Sequence, residues 1–443
     1  MVDGRRYNYF FKLTKIFLLL KLTKSNLFKS SSIYTLSSIL NASIPFILLP
    51  ILTNRLSPTD YGVVAMFQLL VSIIYPFIGV NLEGAIARKY YDDEKNSFSS
   101  YIGSCFVITL ISFFFFSLLL LIKINWLTSL ISLQAYWIKL AVLTAFLQFS
   151  IAVLLVLYQT SVQPIKYGFV QISQSALNII LTILFIVNYK KTWEGRLDAI
   201  FLSTLIFAII SVIILIKKKK IRINFLKDHF LHALKFGIPL IPHAIGAMLF
   251  ISIDRFFLTK YFGLEQTGNY TVSYQIGAIV SIITVSINNA FVPWLYENLK
   301  KNNLNIKIKI VKFTYLYFLL LIIGALILLL VFPIIIKLFI GHRYKSVNSY
   351  SLFIVLGLVC QGMYFMVTNY ISYVNKTYLQ AIVTISVALL KIPLTYFLIM
   401  WLGSVGASVS FFLTFLTFFI TTWVLSSRVY EMPWNIFKLK LKI

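Results

Sequence analysis

Residues 101–122 read YIGSCFVITLISFFFFSLLLLI, an apolar stretch without a single charged side chain. A bilayer core of about 30 Å is crossed by about twenty residues of α-helix, and a helix satisfies its backbone amides within its own segment. The stretch therefore predicts a membrane-spanning helix. The rest of the chain has the same character, because 59% of its 443 residues are hydrophobic and only 12% are charged.

The same criteria of length and hydropathy predict an all-α polytopic membrane protein of about twelve helices. The predicted spans are Ile33–Leu52, Tyr61–Leu82, Tyr101–Ile122, Tyr136–Tyr158, Tyr167–Tyr189, Leu197–Ile216, Leu231–Leu258, Gly268–Tyr296, Phe313–Ile336, Ser349–Tyr373, Tyr378–Met400 and Trp401–Leu425. Pro239 and Pro242 are expected to bend the seventh helix, since proline removes a backbone donor. Phe10–Leu22, which lysines interrupt, is interpreted as an interfacial basic helix.

The distribution of basic residues predicts the orientation. A net charge of +27 would suggest nucleic acid in a soluble protein, but here the basic residues lie mainly in short loops between apolar runs. Of the 40 Lys and Arg residues, 28 fall on one side of the predicted membrane, including Lys235 near the start of the seventh span, and nine fall on the other. This asymmetry predicts that both termini are cytoplasmic in a bacterial inner membrane, and it favours membrane lipids over nucleic acid as partners.

The longest basic run, Lys217–Lys220, divides the predicted helices into six plus six. We expect a basic cytoplasmic or interfacial N-terminus at 1–32, an N-terminal lobe at 33–216, a basic cytoplasmic linker at 217–230, a C-terminal lobe at 231–425 and a basic cytoplasmic tail at 426–443.

The two halves resemble each other faintly. LSPTDYG at Leu56–Gly62 and FGLEQTG at Phe262–Gly268 follow the first helix of each half, 206 residues apart. Two polar pairs lie just beyond them at a spacing of 207, namely Gln68 with Gln275 and Asn81 with Asn288. Matches at a nearly constant offset favour a duplicated six-helix bundle.

Three segments carry a family resemblance. They are NASIPFILLPILTNRLSPTDYG at Asn41–Gly62, IPLIPHAIGAMLFISIDRFFLTKYFGLEQTGNY at Ile238–Tyr270 and LGSVGASVS at Leu402–Ser410. In order and spacing they resemble the polysaccharide-transport branch of the multidrug/oligosaccharidyl-lipid/polysaccharide (MOP) exporter superfamily, typified by O-antigen flippases.

The resemblance implies two six-helix lobes, as in MATE transporters, around a central cavity that opens alternately to either side. The implied cargo is an undecaprenyl-diphosphate-linked oligosaccharide for O-antigen, capsule or a related glycan, and glycan polymerase machinery is an implied partner. We expect no metal, because Cys105 and Cys360 lack metal-ligand spacing. We expect no cofactor and no direct ATP coupling, since no Walker motif occurs.

Moving a diphosphate through a membrane requires cations inside it, so intramembrane charges are the candidate site. Lys391 lies near the middle of its predicted helix, where it either contacts the diphosphate in the cavity or serves as a structural partner to a helix end or carbonyl. Arg255 either pairs locally with Asp254 or anchors the helix at the interface, or it is a cavity cation that Asp254 restrains until substrate phosphate competes for it.

At the predicted cytoplasmic end of the second helix, Arg88 either anchors the protein to the anionic leaflet or meets the substrate. Glu83 either pairs with Arg88 or takes a proton or sodium ion as a coupling site, and Asp254 is the second coupling candidate. Asn81, Asn288, Gln68 and Gln275 either bind sugars or join helices.

Two other functions remain open at the level of the sequence. A cation-coupled multidrug exporter of the same fold would favour acidic groups in its cavity, whereas the charge predicted at mid-membrane is Lys391. A membrane polysaccharide polymerase or transferase usually needs a large extramembrane loop or a His/Asp/Glu constellation. The largest predicted outer loop, 123–135, has neither acid nor histidine, so we expect a transporter and not an enzyme.

Overall fold

The computed structural model describes residues 26–92, 97–222, 224 and 226–435, and within these ranges all regular structure is helical. The predicted all-α polytopic class is confirmed. The predicted interfacial helix Phe10–Leu22, and the tail beyond residue 435, lie outside the described residues.

The first half of the chain forms long apolar helices joined by short connections. Its helices are α1 Asn26–Arg55, α2 Pro58–Gly79, α3 Leu82–Lys89, α4 Phe98–Ile122, α5 Ile124–Ile131, α6 Ala135–Thr160, α7 Pro164–Ile183 and α8 Trp193–Lys217. The start of α2 shows how local sequence fixes an end: the Ser57 hydroxyl accepts from the Asp60 amide at 3.1 Å, and the Asp60 carboxylate accepts from the Ser57 amide at 2.9 Å. This capping box satisfies two amides that the helix leaves open.

The second half begins with a short helix that the sequence did not separate from the span after it. Its helices are α9 Lys227–Gly237, α10 Ile241–Gly277, α11 Ile279–Lys300, α12 Leu304–Phe339, α13 Val347–Tyr373, α14 Thr377–Leu402 and α15 Gly406–Val429. The predicted span Leu231–Leu258 is therefore wrong at its start. Pro239 and Pro242 stand at the break between α9 and α10, where Pro239 lies in the 3-10 turn Ile238–Leu240 and Pro242 is the second residue of α10, a position that proline tolerates.

A single residue replaces the loop that the sequence predicts after the seventh helix. Within α10, Gly263 has φ 80° and ψ 178°, while residues on both sides are helical. This backbone conformation is open to glycine because it has no Cβ. The break divides α10 into a first arm, 241–262, and a second arm, 264–277.

Ten helical stretches of the described residues are long and apolar enough to cross a membrane. Two of them, Met248–Lys300 and Thr377–Val429, are 53 residues long, about 80 Å if straight. Gly263 interrupts the first, and the 3-10 turn Gly403–Val405 interrupts the second. Each of these two stretches is long enough to cross the membrane twice, and the number of twelve membrane-spanning helices stays a prediction.

Helix packing follows a similar order in the two halves. In the first half, α2 packs on α6, α6 on α8 and α1 on α7; in the second, α10 packs on α13, α13 on α15 and α10 on α14. The halves meet most extensively where α2 packs along α10. There the backbones approach closely, since a Cβ placed on Gly268 would stand 1.8 Å from the carbonyl oxygen of Pro58.

Candidate functional site

A cavity of about 300 Å³ lies between helices of both halves of the chain. It takes residues from α1, α2 and α8 on one side and from α10 and α11 on the other. The lining residues are Ala42, Pro45, Phe46, Leu48, Leu52, Tyr61, Val64, Gln68, Arg196, Arg255, Thr271, Tyr274, Gln275, Ala278, Ser281 and Ile282. Its volume is at the lower end of the range for ligand pockets, about 300–1,000 Å³.

Arg196 is held on the cavity wall by the neighbouring helix. It lies in the first turns of α8, is 9% exposed, and donates from Nη1 to Asn178 at 2.6 Å and Thr182 at 2.7 Å, both on α7. Its Nε is buried without a partner among the described residues. A buried guanidinium with an open donor is suited to bind an anion.

Arg196 is not among the site residues predicted from the sequence, because the predicted sixth helix begins one residue later, at Leu197. In the structure α8 begins at Trp193, with Glu194 in its first turn. An acidic residue in the first turn is a helix-start signal, and it would have moved Arg196 from the outer loop into the membrane.

Arg255 reaches the cavity from the first arm of α10. Its guanidinium lies 5.1 Å from the centre of the Tyr274 ring, which belongs to the second arm. The Nε atom is buried, and it has no hydrogen-bond partner in the part of the chain that the structure describes. The predicted local pair with Asp254 does not form, because Asp254 is engaged by Lys391.

The cavity is cationic. Its described lining contains two arginines and neither Asp nor Glu. Charges in a cleft with low-dielectric walls act more strongly than they do in bulk water. The cavity therefore favours an anionic ligand over an organic cation.

Neutral hydrogen-bonding groups stand beside the arginines. Gln68 and Gln275, a pair predicted from the repeat, both line the cavity. The Tyr61 hydroxyl donates to Oε1 of Gln275. The other predicted pair lies elsewhere: Asn81 adopts a left-handed conformation at the break before α3, and Asn288 accepts from Asn369 on α13 at 2.9 Å. The structure thus brings the two glutamines, but not the two asparagines, to the cavity.

Lys391 and Asp254 form a fully buried ion pair outside the described cavity lining. Nζ of Lys391, on α14, lies 2.7 Å from Oδ2 of Asp254 and also donates to the carbonyl oxygen of Phe250. Hydroxyls complete the surroundings of Asp254, with Tyr270 at 3.1 Å and Thr395 at 3.4 Å. The arrangement brings Lys391 to a carboxylate and a backbone carbonyl, and not to the cavity.

Of the two alternatives for Glu83, the pair with Arg88 does not form, and the coupling site stays a prediction. Glu83 accepts from the Tyr75 hydroxyl at 3.3 Å, and its Oε2 is buried with no partner among the described residues. Arg88 has a side chain that is 65% exposed and lies 3.5 Å from Asp92. Burial raises the pKa of the Glu83 carboxyl, and the hydrogen bond from Tyr75 opposes the shift.

Comparison with known sequences supports the family resemblance. The model of a family described as "Polysaccharide biosynthesis protein" matches residues 27–299. An "Uncharacterized membrane protein" of Haemophilus influenzae is 30% identical over 356 residues, which is 80% of this chain and 85% of that protein. The "Lsg locus putative protein 1" of the same organism is 27% identical over 353 residues, covering 79% and 85%.

Comparison with solved structures supports the fold. An inward-facing multidrug resistance MATE family transporter of the MOP superfamily superposes with a TM-score of 0.72 at 16% identity, covering 88% of this chain and 94% of that one. An outward-facing one gives 0.63 at 17% identity, covering 92% and 97%. Together with its long apolar helices, this likeness makes the chain a multi-pass membrane protein. Since the matched model covers more than half of the sequence, the chain belongs to the polysaccharide biosynthesis protein family and has the fold of MATE transporters.

Proposed function

We propose that the protein is a flippase that moves an undecaprenyl-diphosphate-linked oligosaccharide from the cytoplasmic to the periplasmic leaflet of the bacterial inner membrane, for O-antigen, capsule or a related glycan. The observation that carries this proposal is the cavity between the halves, with Arg196 and Arg255 in its wall and no carboxylate in its described lining. Glycan polymerase machinery would then use the translocated product.

Each part of such a cargo has a matching environment. The diphosphate is an anion that cannot cross hydrocarbon without cations, and a guanidinium offers planar, bidentate hydrogen bonding to phosphate oxygens. The sugar hydroxyls can exchange hydrogen bonds with Gln68 and Gln275, which stand in the same cavity. The polyprenyl tail stays in the bilayer, where apolar chains need no binding site.

Alternating access supplies the movement in this proposal. We infer two six-helix lobes of parallel topology, 33–216 and 231–425, with both termini in the cytoplasm. The shared order of helix packing supports the two lobes. The close approach of Gly62 and Gly268 to the opposite half supports a conformation closed on the outer side of the cavity. A cavity of about 300 Å³ accommodates an anionic head group but not a whole oligosaccharide, so the lobes must separate further during transport.

A multidrug exporter is the competing function, because the proteins that share the fold carry that description. Its cargo is expected to be cationic, and two arginines without a carboxylate repel a cation. The test is transport by the purified full chain in proteoliposomes with two cargoes. We expect translocation of a fluorescent undecaprenyl-diphosphate-linked oligosaccharide and none of a cationic dye. Transport of the dye alone would refute the flippase.

A further inference from the structure

Lys391 and Asp254 form a neutral pair immediately beside the cationic cavity. Both side chains are 0% exposed, and Nζ lies 2.7 Å from Oδ2. The other groups that touch the carboxylate are the hydroxyls of Tyr270 and Thr395, which carry no charge. In the described part of the chain, Lys391 is therefore the cation that balances Asp254.

The residue after Asp254 is Arg255, the cavity arginine of the second half. Because Arg255 is adjacent to Asp254 on α10, its guanidinium lies within electrostatic range of the Asp254 carboxylate. It forms no salt bridge with Asp254, and its Nε has no partner among the described residues. Neighbouring residues on a helix point in different directions, so Asp254 faces Lys391 while Arg255 faces the cavity.

We propose that Lys391 sets the anion selectivity of the cavity without touching the ligand: by neutralising Asp254 it leaves the charge of Arg255 free for a phosphate group. Lys391 thus acts on the electrostatic potential of the cavity through Asp254 and Arg255, without contacting the ligand. This inference rests on the proposed anion-binding cavity. In this proposal the diphosphate contacts Arg196 and Arg255, and Lys391 influences binding only by neutralising Asp254.

The charges that each variant keeps predict its affinity for an anion. Lys391→Met leaves Asp254 as an unbalanced anion that attracts Arg255, so affinity for an anion falls. Asp254→Asn with Lys391→Met removes both charges and restores the field of Arg255. Asp254→Asn alone leaves an extra cation, so affinity is unchanged or higher. An opposite charge nearby in a low-dielectric site changes binding by about tenfold or more.

The experiment measures binding of inorganic pyrophosphate to the purified full chain by calorimetry. All variants are compared in the same alkaline buffer, which favours the ionised form of a carboxyl group; Lys391 and Tyr270 are the titratable groups that contact Asp254, and Arg255 is the next residue along α10. We expect Lys391→Met to bind at least tenfold more weakly than the native chain, and the double variant to bind within about twofold of it. Equal affinity of Lys391→Met and native chain, or a double variant as weak as Lys391→Met, would overturn the inference.

Two further measurements are needed. One distinguishes a misfolded Lys391→Met variant from one that has lost the charge balance, and the other distinguishes failure of this inference from failure of the proposed flippase function. If Lys391→Met does not accumulate, the double variant carries the test, because removing both partners leaves no unpaired buried charge. Adding Arg255→Gln to the double variant must then weaken binding at least tenfold, and unchanged binding would refute the inference. If the native chain binds pyrophosphate through Arg255 but moves no lipid-linked glycan, the inference stands and the flippase fails.

Discussion

Gly62 and Gly268 each pack against the backbone of the other's turn. A Cβ on Gly62 would stand 2.0 Å from the carbonyl oxygen of Leu264, and a Cβ on Gly268 would stand 1.8 Å from that of Pro58. Gly62 and Gly268 are 206 residues apart, as are Pro58 and Leu264. The same interaction is therefore made twice with the halves exchanged, as expected where two copies of a duplicated unit meet about a local twofold axis.

Replacing either glycine should force the two turns apart, because each added methyl group would overlap a backbone carbonyl. We expect Gly268→Ala to lower the free energy of unfolding by about 1–3 kcal/mol and to lengthen the distance between spin labels on 58–62 and 264–268. Gly324→Ala is the matched control, since nothing lies within 4 Å of its added Cβ. If Gly268→Ala and Gly324→Ala give the same label distance, the close approach does not hold the halves together.

Removing one partner of the buried Lys391–Asp254 pair should destabilise the protein far more than removing one partner of an exposed ion pair. We expect Lys391→Met to lower the free energy of unfolding by about 3–5 kcal/mol, because a buried carboxylate is left uncompensated. The matched control is Lys191→Met, since Lys191 lies at the same 2.7 Å from Asp198 but is 46% exposed. That change should matter by less than about 1 kcal/mol. Thermal melting in detergent compares the two, and equal losses would contradict the burial argument.

Glu83 should give the protein a measurable pH dependence. Burial raises the pKa of its carboxyl, so as pH rises the unfolded chain releases this proton before the folded protein does. Between the two pKa values the folded state binds more protons, and stability falls as pH rises through that window.

Melting temperatures across that pH window test the prediction for Glu83. Glu83→Gln should flatten the pH dependence, while the control Glu297→Gln, at a side chain that is 68% exposed, should leave it unchanged. If the melting temperature of Glu83→Gln depends on pH as steeply as that of the native chain, the Glu83 carboxyl is not the source of the pH dependence.

The predicted orientation can be read from single added cysteines, because the native Cys105 and Cys360 are buried. We expect Thr59→Cys to react with a membrane-impermeant maleimide in cells whose outer membrane is permeable. Lys219→Cys should react only after the inner membrane is opened. The reverse pattern would invert the topology inferred from the distribution of Lys and Arg.

The sequence predicts the helical class and most helix bounds well, since apolar length is a strong signal. Phe98–Ile122 and Val347–Tyr373, for example, differ from prediction by at most three residues at either end. It fails at breaks made by one residue: Gly263 ends a helical arm without a loop, and a polar run around it resembles a turn.

The two local ion pairs that the sequence suggested as alternatives do not form, and the reason is geometric. Asp254 and Arg255 are adjacent, and Glu83 and Arg88 are five positions apart, whereas helical neighbours on one face are three or four apart. The actual partner of Asp254 is 137 residues away, at Lys391. No local sequence pattern predicts such a contact, nor does one predict that Arg196 and Arg255, from different halves of the chain, line the same cavity.

We propose that the cavity arginines, Arg196 and Arg255, hold the diphosphate of the lipid-linked glycan as it crosses the membrane. The most direct measurement is the translocation rate of a fluorescent undecaprenyl-diphosphate-linked oligosaccharide in proteoliposomes containing Arg255→Gln, since no hydrogen bond of Arg255 to the described residues is lost. The control is Arg428→Gln, which makes the same change at an exposed position. We expect Arg255→Gln to slow translocation at least tenfold while Arg428→Gln matches the native chain; equal rates for the two variants would contradict the proposed role of the cavity arginines.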